Sequence, residues 1–334
     1  MTSPAPTCPH CARTVAPADR FCEDCGGSLS TLRKVAIPRP PSTDAPCTDC
    51  GNDAHFDEYC NVCGHRRAQP DRDEASLGAM ALITDRGIEH ARNEDAAAAG
   101  MLVGSDAAAP DAIAVVVCDG VSSSDEAHKA AVAASTAGVD AMLAAIASSK
   151  KPRAAMLAGL DTAAKAAVAA GVDSEAAPSC TYTAAIVIPT ARAAHITVGN
   201  VGDSRAYWLP EPPGAAQQLT VDDSLSQELI TAGASPDSEA VRRGAHTLTR
   251  WLGADSDPEP WSESSVQTIT ADGPGTLLLC SDGLWNYLPD AADIARYCIG
   301  ADPSAAARAL TEYALDAGGQ DNITVVIIPI GGTS

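Results

Sequence analysis

The sequence predicts an α+β layered domain preceded by two small cysteine-stapled modules, and three observations carry that prediction. First, apolar, β-branched runs end abruptly in Asp-Gly, as in Ala112–Gly120 (AIAVVVCDG) and Thr276–Gly283 (TLLLCSDG), the pattern of buried strands closed by turns. Second, strand-like runs come first, two helix-like stretches follow, and strand-like runs return, which is a layered α+β order rather than a βαβ repeat. Third, eight of the twelve cysteines fall in the first 63 residues as four CxxC pairs. A chain of 334 residues has room for one large domain and a small appendage.

The CxxC pairs are Cys8/Cys11, Cys22/Cys25, Cys47/Cys50 and Cys60/Cys63. In a reducing compartment two such knuckles bring four thiolates to one tetrahedral zinc. Residues 7–28 and 46–65 therefore read as two zinc ribbons within residues 1–66, joined by the proline-rich Ile37–Pro46 (IPRPPSTDAP). Glycine after the second cysteine of a knuckle lets the chain turn tightly. Segments this short bury too little surface to fold without a staple. A disulfide scaffold is the competing reading, but the opening MTSPAPTCPH has neither a basic region nor an apolar core to signal secretion, so a cytoplasmic setting is expected. His10, His55 and His65 stand beside the knuckles and are expected to be bystanders, because each set already has four cysteines. Ala68–Leu77 (AQPDRDEASL) is polar and without periodicity. Residues 67–77 therefore read as a tether to a main domain over 78–334.

Within that domain Asp125–Ser148 has a helical apolar pattern with Asp-Glu in its first turn, and Pro152–Ala170 is a second alanine-rich helix opened by proline. Thr183–Ile188 and Ile196–Leu209 read as strands, the latter turning at Gly199–Gly202. Glu211–Gly214 (EPPG) and Asp255–Pro260 (DSDPEP) mark loops, and Ser304–Leu315 is a late helix before the final strand Ile323–Ile330. No stretch reads as a membrane span. The formal charge is 22 − 43 = −21, and both parts are acidic, with 8 Lys+Arg against 11 Asp+Glu up to Leu77 and 14 against 32 beyond. That balance disfavours contact with nucleic acid or anionic lipid.

Carboxylates gather at strand ends. Asp119 and Asp282 close the two Asp-Gly runs, Asp203 ends AHITVGNVGD, Asp321 precedes the last strand, and Glu94-Asp95 close TDRGIEHARNED. Brought together these groups would repel, so a site that collects them needs hard divalent cations. Oxygen-only ligation suits Mg²⁺ or Mn²⁺ rather than zinc. Cys118 and Cys280 lie inside apolar runs and read as inert buried thiols.

Spelled in order, the segments NED (93–95), DG (119–120), GDSRAY (202–207), CSDGLW (280–285) and GGQDNIT (318–324) resemble the bacterial metal-dependent serine/threonine protein phosphatases, the PPM or type 2C family, from Leu82 to Ile330. The resemblance implies a four-layer αββα sandwich, two mostly antiparallel sheets between helical layers. It implies that Asp119 bridges two Mg²⁺ or Mn²⁺ ions, that Asp282 and Asp321 complete one site, and that Glu94 and the Gly120 carbonyl serve the other. Asp95 would hold metal-bound waters, and Asp203 resembles the ligand of a third ion. The implied reaction is hydrolysis of phosphoserine and phosphothreonine in proteins by a water or hydroxide bridging the two ions.

The sequence departs from the family pattern at several points. The arginine that contacts the substrate phosphate stands four residues before the glutamate; here that position is His90. Arg92 would share its face on an extended strand and could reach the same phosphate. Alternatively His90 donates while protonated, or is merely exposed. Val121-Ser122-Ser123 replaces a hydrophobic residue and two glycines, so the general-acid histidine of eukaryotic relatives is missing, and Ser179-Cys180-Thr181-Tyr182 stands where GTT is usual. Asp222–Trp251 would be the flap beside the active site, with Arg242 and Arg243 in its variable part. Expected partners are phosphoproteins, and a kinase or scaffold docked through the ribbons. The alternative is a catalytically weak phosphatase fold that binds phosphoproteins or senses metal or redox state. His90 and the missing glycines favour it; Glu94, Asp119, Asp282 and Asp321 oppose it.

Overall fold

Two six-stranded antiparallel sheets lie face to face between helical layers. The computed structural model describes residues 7–331 apart from 9–10, 17–20, 28, 40–45, 48–49, 57–58, 65–70, 105–109, 125, 172–176, 191–192 and 213. Of the residues singled out above, His10 and His65 lie outside the described set, as does most of the proline-rich joint. The chain runs through β1 (Thr31–Ile37), β2 (His55–Phe56), β3 (Tyr59–Cys60), β4 (Arg72–Leu77), β5 (Met80–Asp85), β6 (Ala96–Val103) and β7 (Ala112–Cys118). The helices α1 (Ala127–Ala147) and α2 (Pro152–Ala170) follow, then β8 (Ser179–Cys180), β9 (Tyr182–Pro189), β10 (Ala193–Val201), β11 (Arg205–Pro210) and β12 (Gln217–Gln218). After α3 (Leu225–Thr231), α4 (Glu239–Arg243) and β13 (Leu252–Gly253) come β14 (Val266–Asp272), β15 (Gly275–Cys280), α5 (Asp282–Trp285), α6 (Ala291–Cys298), α7 (Pro303–Asp316) and β16 (Ile323–Ile330).

The first sheet has the order β1-β6-β7-β9-β10-β14 and the second β12-β11-β15-β16-β5-β4. Strand alternation sends one set of side chains inward between the sheets, where Leu82, Val115, Ile196, Leu277 and Val326 share a core. The opposite faces meet helices. Val116 and Ile186 pack with Met142, Met156 and Leu160 of α1 and α2, and Leu278 and Val325 pack with Ile294 and Leu310 of α6 and α7. This is the expected four-layer sandwich.

Small side chains set the spacing of the helical layer. The buried Tyr182 ring fills the room left by Gly138 and Gly159, where an added Cβ would sit 2.5 Å and 3.2 Å from its hydroxyl. Contrary to the sequence reading, the 21-residue α1 is long and apolar enough by composition to cross a membrane. Its buried Ala130, Ala134, Val139 and Met142 face the sheet and α2 instead.

Two expectations about the chain ahead of the main domain are corrected. Arg72–Leu77, read as tether, is an edge strand paired residue for residue with β5 (Arg72 opposite Asp85, Leu77 opposite Met80). Thr31–Ile37, counted with the ribbons, is the edge of the first sheet, with Thr31 opposite Val103 and Ile37 opposite Ala97. Both are polar enough to mimic loop, and pairing on one side supplies what composition does not. Ile37 is fully buried, and Asp73 is covered by Arg39, which donates its backbone N–H (2.6 Å) and its guanidinium to that carboxylate. The turn expected at Gly199–Gly202 comes later: β10 continues to Val201 and the chain reverses from Gly202, at φ +104°.

The knuckles gather as expected. Cys8, Cys11, Cys22 and Cys25 bring their sulfurs within 4.8 Å of one another, and so do Cys47, Cys50, Cys60 and Cys63. Sulfur pairs lie 3.5–3.7 Å apart, close to the ~3.8 Å edge of a tetrahedron with Zn–S of about 2.3 Å. Each knuckle closes with a backbone bond back to its first cysteine, from Ala12, Gly26, Gly51 and Gly64. Three of these residues are glycines at φ near +70°, whereas Ala12 holds φ +59° with a side chain.

Candidate active site

The candidate site lies where β6, β7 and β15 meet the loop ahead of β16. β7 ends at Asp119 and Gly120, and Gly120 lies so close to Glu94 that a Cβ there would stand 2.7 Å from the Glu94 carbonyl oxygen. Only glycine fits that approach. Asn322 holds the other side: its Oδ1 accepts the Glu94 backbone N–H at 2.7 Å, and its Nδ2 donates to the carbonyls of Arg86 (2.7 Å) and Arg92 (3.1 Å). One amide thus fixes the loop carrying Glu94 against the residue following Asp321.

Asp95 is fully buried, and Ser281 donates to its Oδ2 at 2.7 Å. Ser281 in turn accepts the Thr324 backbone N–H at 2.9 Å. Asp95 Oδ1 and Asp282 Oδ1 are buried without a hydrogen-bond partner. Buried carboxylate oxygens of that kind are costly unless a cation or proton meets them.

The electrostatics describe the same gathering. Burial, then the charges of Asp95, Asp282, Asp321 and Asp203, push the Asp119 carboxyl well above the usual carboxylate range. Burial dominates for Asp95 too, with Asp321 and Asp282 adding to it. Asp203 is pushed up to about 8 by burial and then by Asp282, and its backbone carbonyl accepts from Trp285 Nε1 at 2.9 Å. Glu94 and Asp321 are raised less, burial leading in both. Bringing all six carboxylates together in ionised form requires positive charge among them.

The residues fit divalent cations. The donors are all oxygen, two of them lack partners, and the backbone of Gly120 lies against Glu94. Among the described residues only the two cysteine sets bring three or more ligand atoms within 4.8 Å. A centre of two cations about 3.5–4 Å apart spreads its ligands over both, so a looser carboxylate set is the expected form. Asp119, Glu94 and the Gly120 carbonyl, with Asp282 and Asp321, stand where they could hold such a pair; Asp203 stands beside Asp282.

The phosphate-binding expectation is partly revised. Residues 86–95 form a bent loop, so no extended strand puts His90 and Arg92 on one face. His90 nevertheless reaches the site, with Nε2 3.2 Å from Asp321 Oδ1. The Arg92 guanidinium instead lies 3.2 Å from the His128 ring on α1.

Of the serine departures Ser179 has a local account, through the neighbouring Ser124, and nothing in the structure explains Ser122 and Ser123. Ser124 Oγ caps the turn at the Val121 carbonyl and accepts the Ser179 backbone N–H, while Ser179 Oγ donates to Asp255, which also accepts from Trp251 Nε1. That chain ties the turn after Asp119 to the far end of the flap.

Sequence reasoning left out two side chains at the site. His246, from the flap, stacks on Trp285 with centroids 6.4 Å apart and sits 3.7 Å from Asp282 Oδ2. Arg205, held by Asp222 at 2.7 Å, lies over the same indole. Arg205 belongs to the GDSRAY motif and Trp285 to CSDGLW, so their pairing was legible as shared motif membership alone. His246 opens the HTLTRWLG stretch that matches the family at the end of the flap, and nothing local to it reported a place at the site.

The sequence model of the family described as Protein phosphatase 2C matches residues 87–312. The serine/threonine protein phosphatase PstP of Mycobacterium tuberculosis is 30% identical over 256 residues, covering 75% of this chain and 44% of that protein. The chain spans about half the length of the curated relatives it matches. Among solved structures, the PPM Ser-Thr phosphatase MsPP from Mycobacterium smegmatis in complex with cacodylate superposes with a TM-score of 0.56 at 28% identity, covering 77% of this chain and all of that one. The PstP catalytic domain in complex with two manganese ions shares the fold, with a TM-score of 0.53 at 24% identity over 76% of this chain and 98% of that one. With the matched segment covering more than half of the chain and containing Glu94, Asp95, Asp119, Asp203 and Asp282, the chain belongs to the protein phosphatase 2C family.

Proposed function

We propose that this chain is a protein serine/threonine phosphatase that hydrolyses phosphoserine and phosphothreonine at a centre of two Mn²⁺ or Mg²⁺ ions. The observation that supports this most is the convergence of Glu94, Asp95, Asp119, Asp282 and Asp321 with two buried carboxylate oxygens lacking partners. When bound, the ions would lower the pKa of a water and neutralise phosphoryl charge. Asp119, Asp282 and Asp321 would hold one ion, and Glu94 with the Gly120 carbonyl the other, Asp119 being shared. A third ion at Asp203 is part of the proposal.

The chain's own groups do the rest. Ser281 orients Asp95, and Asn322 fixes the loop that carries Glu94, so the donor set is pre-arranged before substrate arrives. His90, 29% exposed beside Asp321, is placed to donate to a phosphoryl oxygen at the solvent side. Arg92, turned toward His128, contributes charge near Glu94 rather than a direct clamp.

The two cysteine sets are read as structural zinc sites, which requires thiolates and hence a reducing, cytoplasmic setting. Ribbon surfaces would dock partners, a kinase or scaffold among them. The reading is tested by hydrolysis of a phosphothreonine peptide with and without added Mn²⁺, in buffers free of strong chelators. Activity should require Mn²⁺ and fall at least about 10²-fold in Asp119→Asn, which removes the shared ligand. A folded, zinc-loaded protein that hydrolyses no phosphopeptide at any Mn²⁺ concentration would move the assignment to a phosphoprotein-binding module.

A further inference from the structure

The flap, residues 222–251, is fastened to the sandwich at its root. The Asp223 backbone N–H donates to the Gly202 carbonyl at 2.8 Å, and the Thr249 N–H donates to the Asp223 carbonyl at 2.9 Å. Arg250 adds an ion pair to Asp223 at 3.2 Å. Between those fastenings the chain runs for 25 residues, 224 to 248. Its bonds close on one another: the Leu225 N–H on the Thr247 carbonyl, the Ser226 N–H on Gly244, and Arg243 on Glu239.

Apolar packing does not hold this segment down. α3 buries no side chain, α4 buries only Val241, and none of the three apolar cores includes a residue of the flap. Among the described residues, the one hydrogen-bonding, ionic or ring contact from residues 224–248 to the sandwich is made by His246.

That contact lands on a fixed platform. Trp285 is buried, its Nε1 donates to the Asp203 carbonyl at 2.9 Å, and the Arg205 guanidinium lies 3.7 Å from the centre of its ring. Asp222 holds Arg205 in turn, at 2.7 Å. His246 stacks on the indole with the ring planes 9° from parallel, which puts its Nδ1 beside Asp282. An offset stack of this kind shifts a docking equilibrium roughly two- to tenfold.

We infer that His246 is a positioning residue: its stack on Trp285 seats the flap at the mouth of the carboxylate centre, where the flap walls the cleft that takes the residues flanking the phosphoryl group. The effect on substrate rests on the phosphatase reading; the seating of the flap does not.

Helices of seven and five residues do not persist alone in water, so amide exchange in residues 225–243 reports the seating. The test is hydrogen exchange on the full, zinc-loaded chain without added Mn²⁺, comparing wild type with His246→Ala and His246→Phe. The His246 side chain is 64% exposed, so neither variant opens a core. His246→Ala should speed exchange in residues 225–243 about 2- to 10-fold and leave β7 and β15 as protected as before. His246→Phe keeps a ring for the stack and should restore protection, although it loses the nitrogen beside Asp282. On a phosphothreonine peptide with Mn²⁺, His246→Ala should raise KM by a larger factor than it lowers kcat, and His246→Phe should bring KM back. Unchanged exchange in His246→Ala, a His246→Phe that exchanges like His246→Ala, or a fall in kcat alone with the flap still protected would each overturn the proposal. Flap exchange that follows the ring in a protein hydrolysing no phosphate ester would support the seating while refuting the phosphatase reading.

Discussion

Ser281 stands on the far side of the sequence from Asp95, yet it decides where that carboxylate points. Its hydroxyl is the donor to Asp95 Oδ2, while Oδ1 is buried without a hydrogen-bond partner. Ser281→Ala should therefore raise the Mn²⁺ concentration needed for half-maximal activity about 10–100-fold, the usual cost of losing a group that orients a ligand. Activity at saturating Mn²⁺ should fall much less, which a Mn²⁺ titration checks. Asp223 supplies a pH prediction. Burial pushes its carboxyl up to about 6, although Arg250 and the Gly202 N–H, both at 3.2 Å, favour the charged form. A carboxyl raised from its ordinary 3.8 binds more protons in the folded state, so its contribution to stability is full below about 4 and is lost as pH rises through about 6. The loss is at most about 2–3 kcal/mol. Denaturant titrations between pH 5 and 7 should show wild type losing ground to Asp223→Asn as pH rises; a constant difference would refute the assignment. Ala12 offers the opposite kind of change. Its φ of +59° costs a non-glycine residue about 1 kcal/mol, so Ala12→Gly should make the first cysteine set hold zinc roughly 5-fold more tightly against a competing chelator.

The edge strands show where the sequence stops being readable. β7, β15 and β16 announce themselves through unbroken apolar runs because both faces are buried, and the carboxylates follow them because they sit at the ends of those runs. The CxxC pairs were legible for the same reason, a ligand spacing that few other structures need. β1 (TLRKVAI) and β4 (RDEASL) pair on one side only and expose charge on the other, and β6 (AAAAGMLV) is half alanine. Their strand form comes from neighbours distant in sequence, which no local pattern reports. His246 reached the site by the same kind of long-range placement. A practical consequence concerns truncation. Removing residues 1–28 should leave the sandwich intact, because β1 and the Ser30–Asp111 bond at 2.7 Å remain. Removing residues 1–70 strips β1 from β6, deletes the buried Ile37 and leaves Asp73 without Arg39. A buried isoleucine is worth about 2–4 kcal/mol, so the longer deletion should lower Tm by roughly 6–10 °C or more, while the shorter stays within a few degrees of the full chain. Equal Tm values for the two would mean that β1 contributes nothing to the sheet.

Metal removal separates the parts of the molecule by how each is attached. The first cysteine set joins the sandwich through one chain only, so unfolding residues 7–28 on chelation should leave β1 and everything after it undisturbed. The second set bridges β1 and β4, and its collapse converts a stapled segment into an open loop of 31 residues, 40 to 70. Loop closure grows only with the logarithm of length, so even a several-fold increase in effective length costs about 1 kcal/mol. The pairs Arg39–Asp73 and Asp71–Arg86 hold both stems without help from zinc. Chelation in buffer without added Mn²⁺ should therefore release two Zn²⁺ per chain, abolish amide protection in residues 7–28 and 46–64, and lower the Tm of the sandwich by no more than about 2–4 °C. Cys8→Ser should release one ion with no change in the sandwich transition, and Cys47→Ser one ion with the small shift. Loss of the whole cooperative transition on chelation would show that the ribbons and the sandwich fold as one unit, and that the edge strands depend on zinc for their place.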